Sequence, residues 1–221
     1  GDLYCWGNND PWGQLGDGTT TNSSVPVNIT IAASVTLSPT SLSFASFADT
    51  ATLAATVKDP GGSAISGATV TWSSSDTDIA TVSSAGLVTA VGNGTATITA
   101  TSGSVTKTAS VTVTQAAVSI TLSTDSMDVL VSDTATITAT VKDANDSTIA
   151  SPTITWTTSS SSLATVSSAG LVTGVAAGTI QITATHAGLS DATTVTALVG
   201  KSGIINSNET WSTFIKLTDN F

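Results

Sequence analysis

Apolar and polar residues alternate one by one through most of the chain. Every second position from Thr50 to Val57 is apolar, and the same alternation recurs at 69–72, 95–101 and 108–114. Threonine fills most of the intervening positions. A period of two is typical of a strand with one face in a core and one face in water. The pattern therefore predicts short β-strands, and no helical period accompanies it.

The alternating pattern occurs twice. Residues 80–89 and 164–173 both read ATVSSAGLVT, and the same offset of 84 residues links Trp72 to Trp156. A unit of that length is too long for a solenoid repeat and long enough to bury a core of its own. Turn residues such as Gly-Asn-Gly at 92–94 separate about seven short strands in each unit, which is the pattern of a two-sheet sandwich.

We therefore predict an all-β protein with two tandem β-sandwiches and a short non-sandwich segment at each end. The joint at 113–118 has neither glycine nor proline, so we expect it to restrict bending and to give a rod on the order of 70–80 Å. The predicted domains are residues 1–31, 33–115, 117–198 and 199–221. The residues predicted to form the two cores are Trp72, Trp156, Val70, Ile154, Ile98 and Ile182.

Charge narrows the range of partners. The chain has five lysines, no arginine and fifteen acidic residues, for a net charge of −10. No basic face is available to neutralise phosphates, which argues against nucleic acid and against an anionic membrane surface. The apolar runs are shorter than the roughly 18 residues of a membrane helix, so membrane insertion is not expected. The chain begins without methionine or an apolar leader, and we read it as a segment of a longer or processed polypeptide.

Three motifs in the first unit resemble the group 2 bacterial immunoglobulin-like domain. They are W-S-S-S-D from Trp72, I-A-T-V-S-S-A-G-L-V-T-A-V from Ile79 and G-T-A-T-I-T-A from Gly94, and the second unit matches equally well. That family occurs in bacterial and phage surface proteins, including intimin- and invasin-type adhesins. The resemblance implies immunoglobulin-like sandwiches, an extracellular setting, and spacer or adhesion duty. It supplies no binding residue, because the shared motif consists of core and turn positions.

The terminal segments resemble other families. Trp6, Gly7, Asn9 and 13–16 (Gly-Gln-Leu-Gly) resemble one repeat of the regulator-of-chromosome-condensation propeller family. A propeller closes with 4–8 blades, so residues 1–31 are predicted to be a partial repeat. Asn-Glu-Thr-Trp at 208–211 resembles the entry strand of bacterial parallel β-helix domains, and 199–221 is predicted to begin a further β domain.

Acidic residues in the loops are candidates for a calcium site. Asp76 and Asp78, joined by Asp59, would offer the oxygen ligands that calcium takes. The positions 84 residues further on are Ser160 and Ser162. Because a site intrinsic to the domain should occur in both copies, we interpret the carboxylates as solvated loop residues and expect no metal or other cofactor.

The remaining candidates are single residues. Trp72 and Trp156 would suit sugar stacking if exposed, but they share parity with core positions. His186 is the sole histidine, lacks an identifiable orienting partner and is predicted to face solvent in a turn. Cys5 is predicted to be a small buried group of the partial propeller repeat. Trp211 is predicted to anchor the core of the segment that follows.

The leading hypothesis is a non-enzymatic spacer, or stalk, of a bacterial extracellular or surface protein, with adhesin-like character. Three alternatives stay open: a module that binds a ligand or glycan, an accessory stalk of a secreted polysaccharide-active enzyme, and a fibre subunit that self-associates by adding strands to open sheet edges. The expected partners are accordingly other surface or extracellular protein modules, glycans, or a second copy of the chain.

Overall fold

The computed structural model describes residues 3–8, 22–29 and 31–200. Every regular element in that part of the chain is a β-strand, which confirms the all-β prediction. The chain divides into two compact units, Gly1–Gln115 and Ala116–Phe221.

A separate hairpin precedes the first sandwich. It consists of β1 (Leu3–Gly7) and β2 (Ser23–Ile29), which pair antiparallel with Cys5 opposite Val27. The two strands form a sheet of their own. The residues 9–21 between them, which include most of the propeller-like motif, lie outside the described part, as does 201–221 with Trp211.

The first sandwich contains nine strands in two facing layers. They are β3 (Ser34–Ser38), β4 (Ser41–Phe44), β5 (Thr50–Thr52), β6 (Ala54–Lys58), β7 (Thr71–Ser74), β8 (Ala80–Val82), β9 (Leu87–Ala90), β10 (Gly94–Ser102) and β11 (Val105–Val113). One layer is the four-stranded sheet β4-β11-β10-β7, and the other combines β3-β6 with β5-β9-β8. β5 and β6 continue one another across Leu53, which is buried between them.

The first strand of the sandwich is divided between the two layers. β3 pairs antiparallel with β6, and β4 pairs parallel with β11. The cis peptide bond between Ser38 and Pro39 lies between these two strands. The entering chain therefore contributes to both sheets.

The second sandwich has the same topology. Its strands are β12 (Ser119–Leu122), β13 (Ser126–Leu130), β14 (Thr134–Thr136), β15 (Ala139–Lys142), β16 (Thr155–Thr158), β17 (Ala164–Val166), β18 (Leu171–Gly174), β19 (Gly178–His186) and β20 (Leu189–Leu198). The sheet β13-β20-β19-β16 faces the two-stranded sheet β12-β15 and the three-stranded sheet β14-β18-β17.

Alternation along the long strands builds each core. In β10 and β11 the buried apolar side chains occupy every second position, and they are Ala96, Ile98, Ala100, Ala109, Val111 and Val113. Burying a valine or isoleucine side chain contributes about 1.5–3 kcal/mol. In the second unit β19 and β20 do the same with Ile180, Ile182, Ala184, Val195 and Ala197.

Candidate functional site

The segment that is identical in both units forms a tight turn between two short strands. In the first unit the Gly86 N–H donates to the Ser83 carbonyl at 3.0 Å, which closes the turn. The Ser83 hydroxyl accepts hydrogen bonds from the N–H groups of Ala85 at 3.2 Å and Leu87 at 3.1 Å. A serine hydroxyl that accepts hydrogen bonds from nearby backbone N–H groups stabilises a turn, because those groups then need no partner on another strand.

Gly86 also provides the surface on which a tryptophan rests. It is buried, has a φ of +79°, and accepts a hydrogen bond from the Leu53 N–H at 2.9 Å. A Cβ at this position would overlap the Leu53 carbonyl oxygen and lie 3.0 Å from Cζ2 of Trp72. Only glycine fits both the backbone conformation and the space beside the indole.

The second unit repeats this arrangement with equivalent residues. The Ser167 hydroxyl caps its turn, and Gly170 has a φ of +75°. A Cβ there would overlap the Ile137 carbonyl oxygen and lie 3.0 Å from Cζ2 of Trp156. The repeated sequence thus encodes a turn and a glycine against which the tryptophan indole packs. Both features serve folding.

The structure places the six predicted core residues in the two sandwiches. Ile98 and Ile182 have no exposed surface. The other four are half-buried and pack against the core of their own unit: Trp72 and Val70 in the first, Trp156 and Ile154 in the second. Because the glycine turn covers part of each indole, neither tryptophan presents a fully open face to a sugar.

Two of the three carboxylates considered as calcium ligands, Asp76 and Asp59, accept hydrogen bonds within their own turns. Asp76 accepts a hydrogen bond from the Asp78 N–H at 3.0 Å, and Asp59 accepts one from the Ser63 N–H at 2.9 Å. Within residues 3–8, 22–29 and 31–200, no group of three or more His, Cys, Asp or Glu side chains is arranged to hold a metal ion. Hydrogen bonds of this kind, from a backbone N–H to a nearby carboxylate, stabilise turns.

The equivalent loop in the second unit has hydroxyls in place of carboxylates. The Ser160 and Ser162 hydroxyl oxygens lie 2.9 Å apart and share a hydrogen bond. The two loops therefore differ in charge while the flanking strands keep the same pairing.

His186 differs from the prediction of a solvent-facing turn residue. It is the last residue of β19, it is half-buried, and its Nδ1 lies 2.9 Å from the carbonyl oxygen of Thr153. Because a carbonyl oxygen only accepts, Nδ1 carries the proton of this bond. The imidazole therefore stabilises the loop before β16. Cys5 is a half-buried free thiol in the terminal hairpin.

Sequence reasoning missed a carboxylate that joins two strands of the second unit. Asp191 in β20 accepts a hydrogen bond from the Leu122 N–H of β12 at 2.8 Å. It has the parity of the buried Thr193 and Val195, so it points inward. A carboxylate that points into the core needs a hydrogen-bond donor. The alternation of inward and outward positions along β20 was therefore the sequence signal that could have identified Asp191. The first unit has Lys107 at the equivalent position.

The outward face of the four-stranded sheet in the first unit carries only hydroxyl side chains at its strand positions. Thr97 lies opposite Ser110, Thr99 lies opposite Thr108, and Ser73 continues the row on β7. Cross-strand hydroxyl pairs of this kind stabilise a sheet modestly. The face has no charge and no aromatic ring.

The family model described as bacterial Ig-like domain (group 2) matches residues 31–113 and 116–197. The chain belongs to this family. The two matches confirm the prediction of two tandem immunoglobulin-like sandwiches and cover most of the chain. They also explain why the repeated residues are those of the turn and the core.

A second family model, the regulator of chromosome condensation (RCC1) repeat, matches residues 1–44. This confirms the resemblance inferred for the N-terminal segment. The match extends beyond residue 31 into β3 and β4, where it overlaps the first Ig-like match. Both strands pair with strands of the first sandwich and belong to it structurally.

Several solved structures resemble this chain. Surface layer protein SbsC, domains 1–6, has 24% identity and a TM-score of 0.40, covering 84% of this chain and 31% of its own. The Yersinia pseudotuberculosis adhesin InvE has 20% identity and a TM-score of 0.41, covering 74% and 58%. The Escherichia coli adhesin FdeC has 21% identity and a TM-score of 0.40, covering 83% and 71%.

The chain spans about a third of the length of the SbsC fragment that it matches. The TM-scores of these three structures lie between 0.40 and 0.41. No curated protein matches the chain. In the described part of the chain, no helix is long and apolar enough to cross a membrane.

Proposed function

We propose that this chain is a non-enzymatic spacer in a bacterial extracellular or surface protein with adhesin-like character. Its two sandwiches would hold neighbouring modules apart. Membership of the bacterial Ig-like family supports a structural, surface-associated module. The domain boundaries at 31–33, 115–117 and 198–199 remain predictions.

One observation carries this proposal. The residues that recur in both units, such as Ser83 with Ser167 and Gly86 with Gly170, serve turns and ring packing. The loop side chains that would make a ligand site differ between the copies, as Asp76 and Ser160 do. What is duplicated is the capacity to fold, which is what a spacer needs from each repeat.

The outward face of the four-stranded sheet in the first unit also favours a spacer over a binding module. Binding faces usually concentrate aromatic rings or charge, and the described sheet face of the first unit offers hydroxyls alone. Hydroxyls keep such a surface hydrated and discourage association with other proteins.

Two measurements on the purified full chain test the proposal. Small-angle X-ray scattering should give an extended particle, as the short joint between the sandwiches predicts. Glycan arrays and host-matrix proteins should show no binding to the same sample. A compact particle would contradict the spacer, and specific glycan or matrix binding would favour the adhesion module.

A further inference from the structure

In the first unit, the strand that enters the four-stranded sheet lies beside the strand that leaves it. β4 pairs parallel with β11, from Ser41 opposite Ser110 to Phe44 opposite Val113. Two further backbone bonds extend the pairing, from Ser110 N–H to the Thr40 carbonyl at 3.1 Å and from Thr114 N–H to the Phe44 carbonyl at 3.0 Å.

The second unit has an equivalent parallel strand pair, which contains one more residue pair than that of the first unit. β13 runs parallel to β20, from Ser126 opposite Thr194 to Leu130 opposite Leu198. It is extended by a bond from Thr194 N–H to the Asp125 carbonyl at 3.0 Å. At its far end, the Val131 N–H donates to the Leu198 carbonyl at 2.8 Å.

Parallel pairing determines how tension acts on these bonds. The chain reaches β4 from the N-terminal side and leaves β11 at its C-terminal end, so tension on the chain draws the two strands in opposite directions along their length. The hydrogen bonds run across the strands at even spacing, and all of them are loaded together. Antiparallel neighbours pulled apart at one end would lose their bonds one at a time.

We propose that the parallel pairs β4–β11 and β13–β20 are mechanical clamps that let each sandwich carry tension between neighbouring modules. This inference rests on the proposed spacer function and adds to it: the spacer transmits force as well as setting distance. The chain reaches β4 through β3 and β13 through β12, so the β3–β6 and β12–β15 pairings lie in the same force path. The other strands close the core behind each clamp.

The two clamps differ in strength. The pairing in the first unit contains four residue pairs and that in the second contains five. Asp191 additionally ties β20 to β12 in the second unit, where the first unit has Lys107. Because more bonds must break at once, the second unit should open at a higher force than the first.

Optical tweezers on the full chain test the clamp by changing only the direction of force. In a Cys5→Ser background, handles attached through Ser34→Cys and Thr114→Cys pull along β4 and β11. Handles attached through Ser41→Cys and Ser73→Cys pull across the same sheet, from its edge strand β4 to its edge strand β7. All four positions are exposed, and the substitutions leave the backbone bonds in place.

At one loading rate, pulling along the strands should require a several-fold higher force than pulling across the sheet. The lengthwise rupture should release about 80 residues, roughly 250 Å of chain at ~3.5 Å per residue less the folded span. Equal forces in the two directions would overturn the clamp. Circular dichroism melts of both variants establish that they fold alike.

The second unit provides an independent repeat if a variant of the first does not fold. Val118→Cys with Val199→Cys pulls lengthwise, and Ser126→Cys with Thr157→Cys pulls across the sheet. Rupture of the second unit at a lower force than the first would contradict the ranking of the clamps. The outcome is separable from the spacer proposal, because a compact or adhesive chain would still show the directional difference if the clamps exist.

Discussion

Gly86 and Gly170 each combine a left-handed backbone with a contact surface that a larger residue would remove. The φ values of +79° and +75° are uncommon for residues with a Cβ, and the neighbouring indole and carbonyl leave no room for one. At the scale of single residues, these two glycines let the turn pack directly against the tryptophan of the core.

Replacement of Gly86 by alanine should destabilise the first sandwich by about 3 kcal/mol, from backbone strain and overpacking together. Gly67→Ala is the matched control, since Gly67 has a φ of +72° with open space around it. That control should cost about 1 kcal/mol from strain alone. Urea denaturation measures both, and equal losses would show that the contact with Trp72 contributes nothing.

Thr193 is a buried residue whose replacement should stabilise the protein. Its hydroxyl is fully buried and has no hydrogen-bond partner, and Ala109 occupies the equivalent position in the first unit. Thr193→Val keeps the shape and removes the unsatisfied group, so we expect a gain of about 1 kcal/mol. Thr108→Val, on the exposed face of β11, should change stability by less than about 0.5 kcal/mol. A loss at Thr193 in thermal melts would contradict this account.

At the scale of the elements, the two long hairpins use different turns. The β19–β20 hairpin has Ala187 at a φ of 48° and Gly188 at a φ of 85°. Two successive positive values are typical of a type I′ turn, which favours Asn-Gly. In the β10–β11 hairpin, Gly103 has a positive φ of 58° and Ser104 does not.

Ala187→Asn should therefore stabilise the second unit by about 0.5–1 kcal/mol, because asparagine tolerates the left-handed conformation better than alanine. Ser104→Asn in the first hairpin should give no comparable gain. The measurement is the melting temperature of each variant against the parent chain. An equal effect at both sites would refute the difference in turn type.

For the whole molecule, net charge governs association more than it governs folding. In the described part of the chain, the salt bridge between Lys142 and Asp146 is exposed at 3.4 Å and contributes little. The charge of −10 makes copies of the chain repel one another at neutral pH. The free edges of β7 and β16 rely on that repulsion, because neither strand carries a charged residue.

We expect association to be greatest near pH 4.1, the isoelectric point, where the net charge vanishes. Light scattering across a pH series should show a maximum there and a return to small particles at pH 7. Salt at pH 7 should have a weaker effect, because it screens the charge without removing it. Scattering that does not change with pH would argue against edge-strand association.

Much of the architecture is local and is therefore visible in the sequence. Alternation around Ile98 and Ile182 predicts strands because a pleated strand exposes opposite faces at successive residues. The repeat of 84 residues predicts two equal units, and Gly-Asn-Gly at 92–94 marks a turn. The family motif follows from the same core and turn positions.

The remaining features depend on residues that are distant in the chain. Three contacts join segments that no local sequence pattern relates. They are the parallel pairing of β4 with β11, the packing of Trp72 against Gly86, and the hydrogen bond from the Leu122 N–H to Asp191. The sequence around His186 shows no partner for the imidazole, because Thr153, whose carbonyl oxygen bonds to it, lies 33 residues earlier. The alternating sequence by itself determined strands, faces and the number of units, since burial acts on each strand separately. Only the tertiary structure decided which strands are neighbours, because that choice is made by packing across the whole sandwich.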